Sequence, residues 1–193
     1  MKFKINYENI PELSVCFTQA QTPFAKIIRL VRGGVSALRD QAFANHSFLV
    51  TSDRGQKFAV EQTKDGLKEN SMEIFRSDRN RIVACYYWTG FDNIDYKNMA
   101  LDHLAYIRRK QGDKTTKVGK YNFIGLMRFL PVIGKLKMFN KDSDADWCSE
   151  TCARIMQCCG AKWITDPEIA PDQLLTLMAN ESSCRCVLGY YYY

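Results

Sequence analysis

The sequence predicts an α+β domain in which a mostly antiparallel sheet packs against one cysteine-bearing helix, and three stretches predict it. The runs His46-Ser47-Phe48-Leu49-Val50-Thr51 and Lys57-Phe58-Ala59-Val60-Glu61-Gln62 flank the turn residues Ser52-Asp53-Arg54-Gly55, the grammar of a β-hairpin. Arg81-Ile82-Val83-Ala84-Cys85-Tyr86-Tyr87-Trp88 reads as a central strand. Cys148, Cys152, Ile155, Met156 and Cys159 recur at helical spacing and form a single apolar stripe.

Composition sets the frame. The 193 residues, 46% hydrophobic and 25% charged, suffice for one domain spanning residues 1–193 with a real core, and exclude a disordered tail. A net charge of +6 suits an anionic surface but is no signature of specific nucleic-acid binding. Met1-Lys2-Phe3-Lys4-Ile5-Asn6-Tyr7 alternates like a strand and lacks the apolar core of a signal peptide. Residues 123–133 are the longest apolar run, and Arg128 and Pro131 interrupt it, so no bilayer span is expected. A cytoplasmic location follows as the expectation, with the eight cysteines reduced. Their spacing lacks the paired C-x-x-C knuckles of zinc modules. The Asp142-Ser143-Asp144-Ala145-Asp146 run fails as a calcium loop, because Trp147 and Ala153 stand where glycine and glutamate are needed. No metal and no cofactor is expected.

Further elements follow along the chain. Thr22 caps and Pro23 opens a helix through Val31 that Gly33-Gly34 ends. Tyr96, Ala100, His103, Leu104 and Ile107 trace a helical stripe that Gly112 ends, with His103 read as a packing histidine. Arg108, Arg109, Lys110, Lys114, Lys117 and Lys120 form a solvated basic surface around a loop. Residues 121–130 lead into Pro131 as a short buried or interfacial helix. Asp144 and Asp146 are candidate caps of the cysteine helix, and Gly160 its C′ residue. Pro171-Asp172-Gln173-Leu174-Leu175 begins another helix, Cys184-Arg185-Cys186-Val187-Leu188 reads as a closing strand, and the four terminal tyrosines have no assignment.

Two segments carry candidate chemistry. A thiol in the first turn of a helix faces unpaired backbone N–H groups and the positive end of the helix dipole, which favour thiolate. Cys148 is so placed, but spacing alone favours a small core residue like Cys152, and a base elsewhere must tip the balance. In the hairpin, a two-residue Arg54-Gly55 turn places Glu61 opposite Phe48 and diagonal to His46 on one face, about 7–8 Å apart at the backbone. That is within reach of a His–carboxylate hydrogen bond. A solvent-facing pair without a role fits the same alternation.

The order of these parts resembles the circularly permuted branch of the NlpC-type, papain-like cysteine hydrolases, the YiiX-like proteins. Thr22-Pro23-Phe24 with Ile27-Ile28-Arg29 comes first, then His46 opening a strand and Glu61 closing the next. Gly119-Lys120-Tyr121-Asn122-Phe123, Trp147-Cys148-Ser149-Glu150 and Pro171-Asp172-Gln173-Leu174 follow. The histidine strand precedes the cysteine helix, as the permuted arrangement requires, and the likeness spans most of residues 20–178. Phe43-Ala44-Asn45-His46-Ser47 departs from the usual small residue-His-hydrophobic pattern in having serine after the histidine. The resemblance implies a papain-like fold, Cys148 as nucleophile, His46 as general base and acid, and Glu61 as the orienting third member. It implies the Cys148 backbone N–H as an oxyanion donor and Tyr121 as an assisting residue on the oxyanion side.

The implied activity is that of a cysteine hydrolase, an amidase or peptidase working through an acyl-thioester, on a peptide-like or acyl substrate. Lipid acyl transfer or thioester hydrolysis uses the same thiol, and residues 123–133 with the basic surface would suit membrane contact. A non-catalytic, host-interaction protein on the same scaffold is the third class.

Overall fold

The structure, a computed structural model, describes residues 7–20, 26, 44–63, 65–76, 80–111 and 148–189. Six strands form one antiparallel sheet in the order β4-β3-β2-β1-β5-β6. They are β1 (Val15–Ala20), β2 (His46–Asp53), β3 (Gln56–Thr63), β4 (Gly66–Ser71), β5 (Asn80–Trp88) and β6 (Cys184–Gly189). The described helices with stated bounds are α1 (Ile94–Lys110), α2 (Cys148–Cys158) and α3 (Pro171–Asn180). The fold class is α+β.

The hairpin forms as expected. Asp53 pairs with Gln56, and Arg54 and Gly55 between them have φ of 46° and 82°, the two positive values that a tight turn matched to strand twist requires. Asn93 caps α1, its Oδ1 accepting the Asp95 N–H at 2.9 Å. Arg108, Arg109 and Lys110 occupy the last turn of α1, where cations complement the helix dipole. Gly160 ends α2 with φ of 97°: its N–H reaches the Gln157 carbonyl at 3.0 Å, and the Ala161 N–H reaches Met156 at 3.0 Å. That pair of bonds satisfies carbonyls the last turn leaves open. Pro171 opens α3.

Strand alternation sends side chains to two cores. Val15, Phe17, Leu49, Val60 and Val83 join Leu104, Ile107, Cys152, Ile155, Met156 and Leu174 on the helical side. Cys16, Phe48, Val50, Ala59, Ile82 and Cys85 face the other side, with Tyr7, Ile10, Met72 and Phe75. Phe48 and Phe75 stack there at 4.4 Å. The Cys16 and Cys85 sulfurs, on directly opposed residues, lie 3.2 Å apart.

Several expectations are corrected. Tyr7, placed in a first strand by alternation, lies in a short 3-10 helix, Tyr7–Asn9, with its ring in the second core. The strand β1, absent from the sequence reading, takes the position between β2 and β5. The polar strand β4 is also new: it edges the sheet and needs only Leu67 as an anchor. On α1 the buried face is Ala100, Leu104 and Ile107, whereas Tyr96 is exposed and His103 half-buried. Lys26 is helical, in accord with a helix after Pro23, but the rest of residues 22–31 lies outside the described residues. So do Tyr121, residues 123–133, Asp144, Asp146, Trp147, Lys114, Lys117, Lys120 and the tyrosine tail. No helix among the described residues is long and apolar enough to cross a membrane.

Phe17 is fully buried at the centre of the sheet. Phe17→Ala is expected to cost about 3–5 kcal/mol through lost burial and the cavity left behind. Ile94→Ala, at a side chain 63% exposed, is expected to stay within about 0.5 kcal/mol. Urea unfolding of both variants checks the contrast.

Candidate thiol–imidazole site

The β2–β3 ladder runs from Asp53↔Gln56 up to Leu49↔Val60 and stops there among the described residues. The Phe48–Glu61 pair expected from regular hairpin extension would be the next rung, and it is not formed. On its other edge β3 continues, and Glu61 pairs with Lys68 of β4. The two strands therefore part just where His46 and Glu61 sit, and side chains take over from backbone bonds: His46 Nε2 and Glu61 Oε2 lie 2.6 Å apart. The diagonal contact expected from the turn is present, although the rung beside it is not.

Cys148 opens α2, and α2 packs chiefly on β2. Cys152, one turn along, and Ile155 and Met156, two turns along, enter the helical-side core, whereas Cys148 is buried but joins neither hydrophobic cluster. The helix start thus reaches the end of β2, where the sheet has opened. There the His46 side chain and the backbone N–H groups of Ser47 and Ser149 act on the sulfur. Since His46 Nε2 faces Glu61, its other ring nitrogen, Nδ1, is the one left for the sulfur. By alternation His46 shares the face of Phe48, the side away from α2. Its position as the first residue of β2 is what lets it meet a helix from the opposite side.

The electrostatics follow from this packing. Burial disfavours the Cys148 thiolate, but the His46 charge and hydrogen bond and the two backbone N–H groups outweigh it, so the thiol pKa falls below its ordinary value. Burial also disfavours the imidazolium; the facing sulfur and then Glu61 reverse that and hold the His46 pKa up at about 10. Burial raises the Glu61 pKa in isolation, yet hydrogen bonds from His46 and Asn70 and the nearby Lys68 bring it below the usual value. Both shifts favour the same arrangement, a charged imidazole beside Glu61 and a Cys148 thiol that ionises more readily than an ordinary one. Cys152, one turn along, has no imidazole: burial first and the Cys148 charge second push its pKa well up, and it stays a thiol.

The site is braced behind the sulfur. The Ser149 hydroxyl donates to the Ile169 carbonyl in the loop before α3. Glu150, fully buried, pairs with Arg154 at 2.7 Å one turn along α2. His103 lies away from the thiol, and burial followed by the Arg154 charge lowers its pKa. Sequence reasoning missed Asn70, whose Nδ2 donates to Glu61 Oε1 at 2.6 Å. Its signal lies in the β3–β4 register, which a polar edge strand does not announce. Tyr121 lies outside the described residues. Among the described residues no group of three or more His, Cys, Asp or Glu side chains is arranged to hold a metal ion.

No protein-family model matches the chain, and no curated protein matches its sequence.

Two measurements check this electrostatic picture. At pH 6.5 an ordinary thiol of pKa about 8.5 is only about 1% ionised. Iodoacetamide should therefore label Cys148 ahead of the exposed Cys158 and Cys186, and His46→Ala should slow that labelling roughly 10–100-fold. Glu61, with its pKa depressed in the fold, contributes stability that is present above its unfolded pKa of about 4.3 and lost as pH falls through the lower folded value. The gap in urea midpoint between wild type and Glu61→Gln should be widest near pH 6 and narrow toward pH 3.

Proposed function

We propose that this chain is a cysteine hydrolase of the amidase or peptidase type, acting through Cys148, His46 and Glu61 on a peptide-like or acyl substrate. The observation that carries the reading is a buried thiol at a helix start set against an imidazole that a carboxylate holds at 2.6 Å. One of eight thiols has this environment among the described residues. The resemblance to permuted papain-like hydrolases, which rests on the short motifs quoted above, supports the same assignment.

The reaction follows from the groups present. The Cys148 thiolate attacks the carbonyl carbon, and the π electrons move onto oxygen. That oxyanion is met by backbone N–H groups at the α2 N-terminus, which point along the dipole without reorganising. The His46 imidazolium gives its proton to the leaving nitrogen or oxygen as the bond to it breaks, leaving an acyl-thioester. Neutral His46 then takes a proton from water, the resulting hydroxide adds to the thioester, and collapse expels the thiolate with the carboxylic acid product. Glu61 keeps the ring in one orientation and stabilises its charged form in both half-reactions.

The test offers a peptidoglycan peptide fragment and an acyl-phospholipid to separate samples of the protein, with intact mass followed over time. Amide cleavage with a transient acyl adduct on Cys148 is the expected outcome, abolished in Cys148→Ala and reduced roughly a thousandfold or more in His46→Ala. An adduct formed from the phospholipid alone would reassign the site to lipid acyl transfer or thioester chemistry. No adduct from either, with all accessible thiols labelling equally, would leave a binding protein on this scaffold.

A further inference from the structure

We propose that Asn70 is a positioning residue of this site, its amide fixing the Glu61 carboxylate in the orientation that pairs with His46. The inference rests on the thiolate–imidazolium reading above and adds a fourth member to it.

A glutamate has three side-chain torsions, and here no backbone rung joins β2 to β3 beyond Leu49↔Val60 to set the separation of His46 and Glu61. Each carboxylate oxygen has a separate partner: Oε2 faces His46 Nε2 at 2.6 Å, and Oε1 accepts from Asn70 Nδ2 at 2.6 Å. With both ends held, the plane of the carboxylate is defined, and the imidazole is defined through it. Asn70 is the Cα partner of Ala59 and so lies diagonal to Glu61 on the same face of the sheet.

An edge strand is a poor platform unless something secures it, and β4 is secured from its other face. Arg108 of α1 pairs with Glu69 at 2.6 Å, and Thr51 donates to the same carboxyl group at 3.3 Å. Gln111 Oε1 accepts the Leu67 N–H at 2.8 Å. These contacts hold the strand just before Asn70, at Leu67 and Glu69. Lys68 is the direct cross-strand partner of Glu61, but its ammonium bonds Asp65 at 2.7 Å in solvent and acts on Glu61 only through space.

The residue type matters. A neutral amide gives a hydrogen bond without adding charge, so it orients the carboxylate and stabilises its ionised form. Aspartate at the same place would offer no donor when ionised and would set a second negative charge against Glu61.

The experiment measures the pH profile of iodoacetamide labelling at Cys148 in the full chain for wild type, Asn70→Ala and Asn70→Asp, with urea unfolding of each as a folding control. With Glu61 freed, the imidazolium loses its fixed partner and the thiolate is less favoured. The acid limb should therefore move up by about 0.5–1 pH unit in Asn70→Ala, a three- to tenfold slower labelling at pH 6. Asn70→Asp, nearly isosteric, should show a displaced limb as well. Profiles that coincide with wild type in both variants, whatever happens to stability, would overturn the assignment while leaving the thiolate–imidazolium pair intact. A wild-type profile with an ordinary thiol midpoint would remove both.

Discussion

The 2.6 Å contact between the His46 ring and the Glu61 carboxylate stands in for the rung that β2 and β3 do not form. A regular hairpin would close this end of the sheet with backbone hydrogen bonds, and the helical side would remain separated from the far side. Because the strands part after Leu49↔Val60, an imidazole that belongs by alternation to one face meets a sulfur delivered from the other. Opening a ladder forfeits hydrogen bonds, each worth about 0.5–1.5 kcal/mol net. An imidazole and a carboxylate 2.6 Å apart, facing the Cys148 sulfur, occupy the space so created.

Environment, and not residue type, separates the buried thiols. Cys148 has an imidazole and two amides aimed at its sulfur. Cys152 shares its helix face and its burial, but without a cation its proton is held more tightly than in water. Cys16 lies against Cys85 across neighbouring strands, where burial and a second sulfur both hold the proton on. The same side chain is thus core filler that keeps its proton at Cys16 and Cys152 and a more acidic thiol at Cys148, and the difference is the presence of His46.

How much of this was legible in the sequence depended on whether a residue's role is local. The Arg54-Gly55 turn fixes the hairpin register through its own backbone, so the approach of His46 to Glu61 could be read from parity. The α2 stripe and Gly160 were equally local. β1 escaped because Val15-Cys16-Phe17 is a brief apolar run whose central place in the sheet comes from pairing with residues far along the chain. β4 escaped because Lys68, Glu69 and Asn70 face outward or sideways at an edge and leave only Leu67 apolar. The end of the ladder and the role of Asn70 are tertiary facts with no periodic signature. That Cys148 and not Cys152 meets the histidine is likewise set by how α2 docks.

The base and its carboxylate belong to one short hairpin, whereas the sulfur arrives on a helix far downstream. Translation at about 5–20 residues per second releases the hairpin seconds before Cys148, while a hairpin closes within microseconds once free. A nascent chain therefore releases His46 and Glu61 together, before there is any sulfur at position 148 for them to face. After Cys148 emerges, its thiol keeps ordinary acidity until α2 seats on β2. The His46–Glu61 pair and the sulfur therefore come together only in a chain whose α2 has docked, a consequence of the order in which the polypeptide is made.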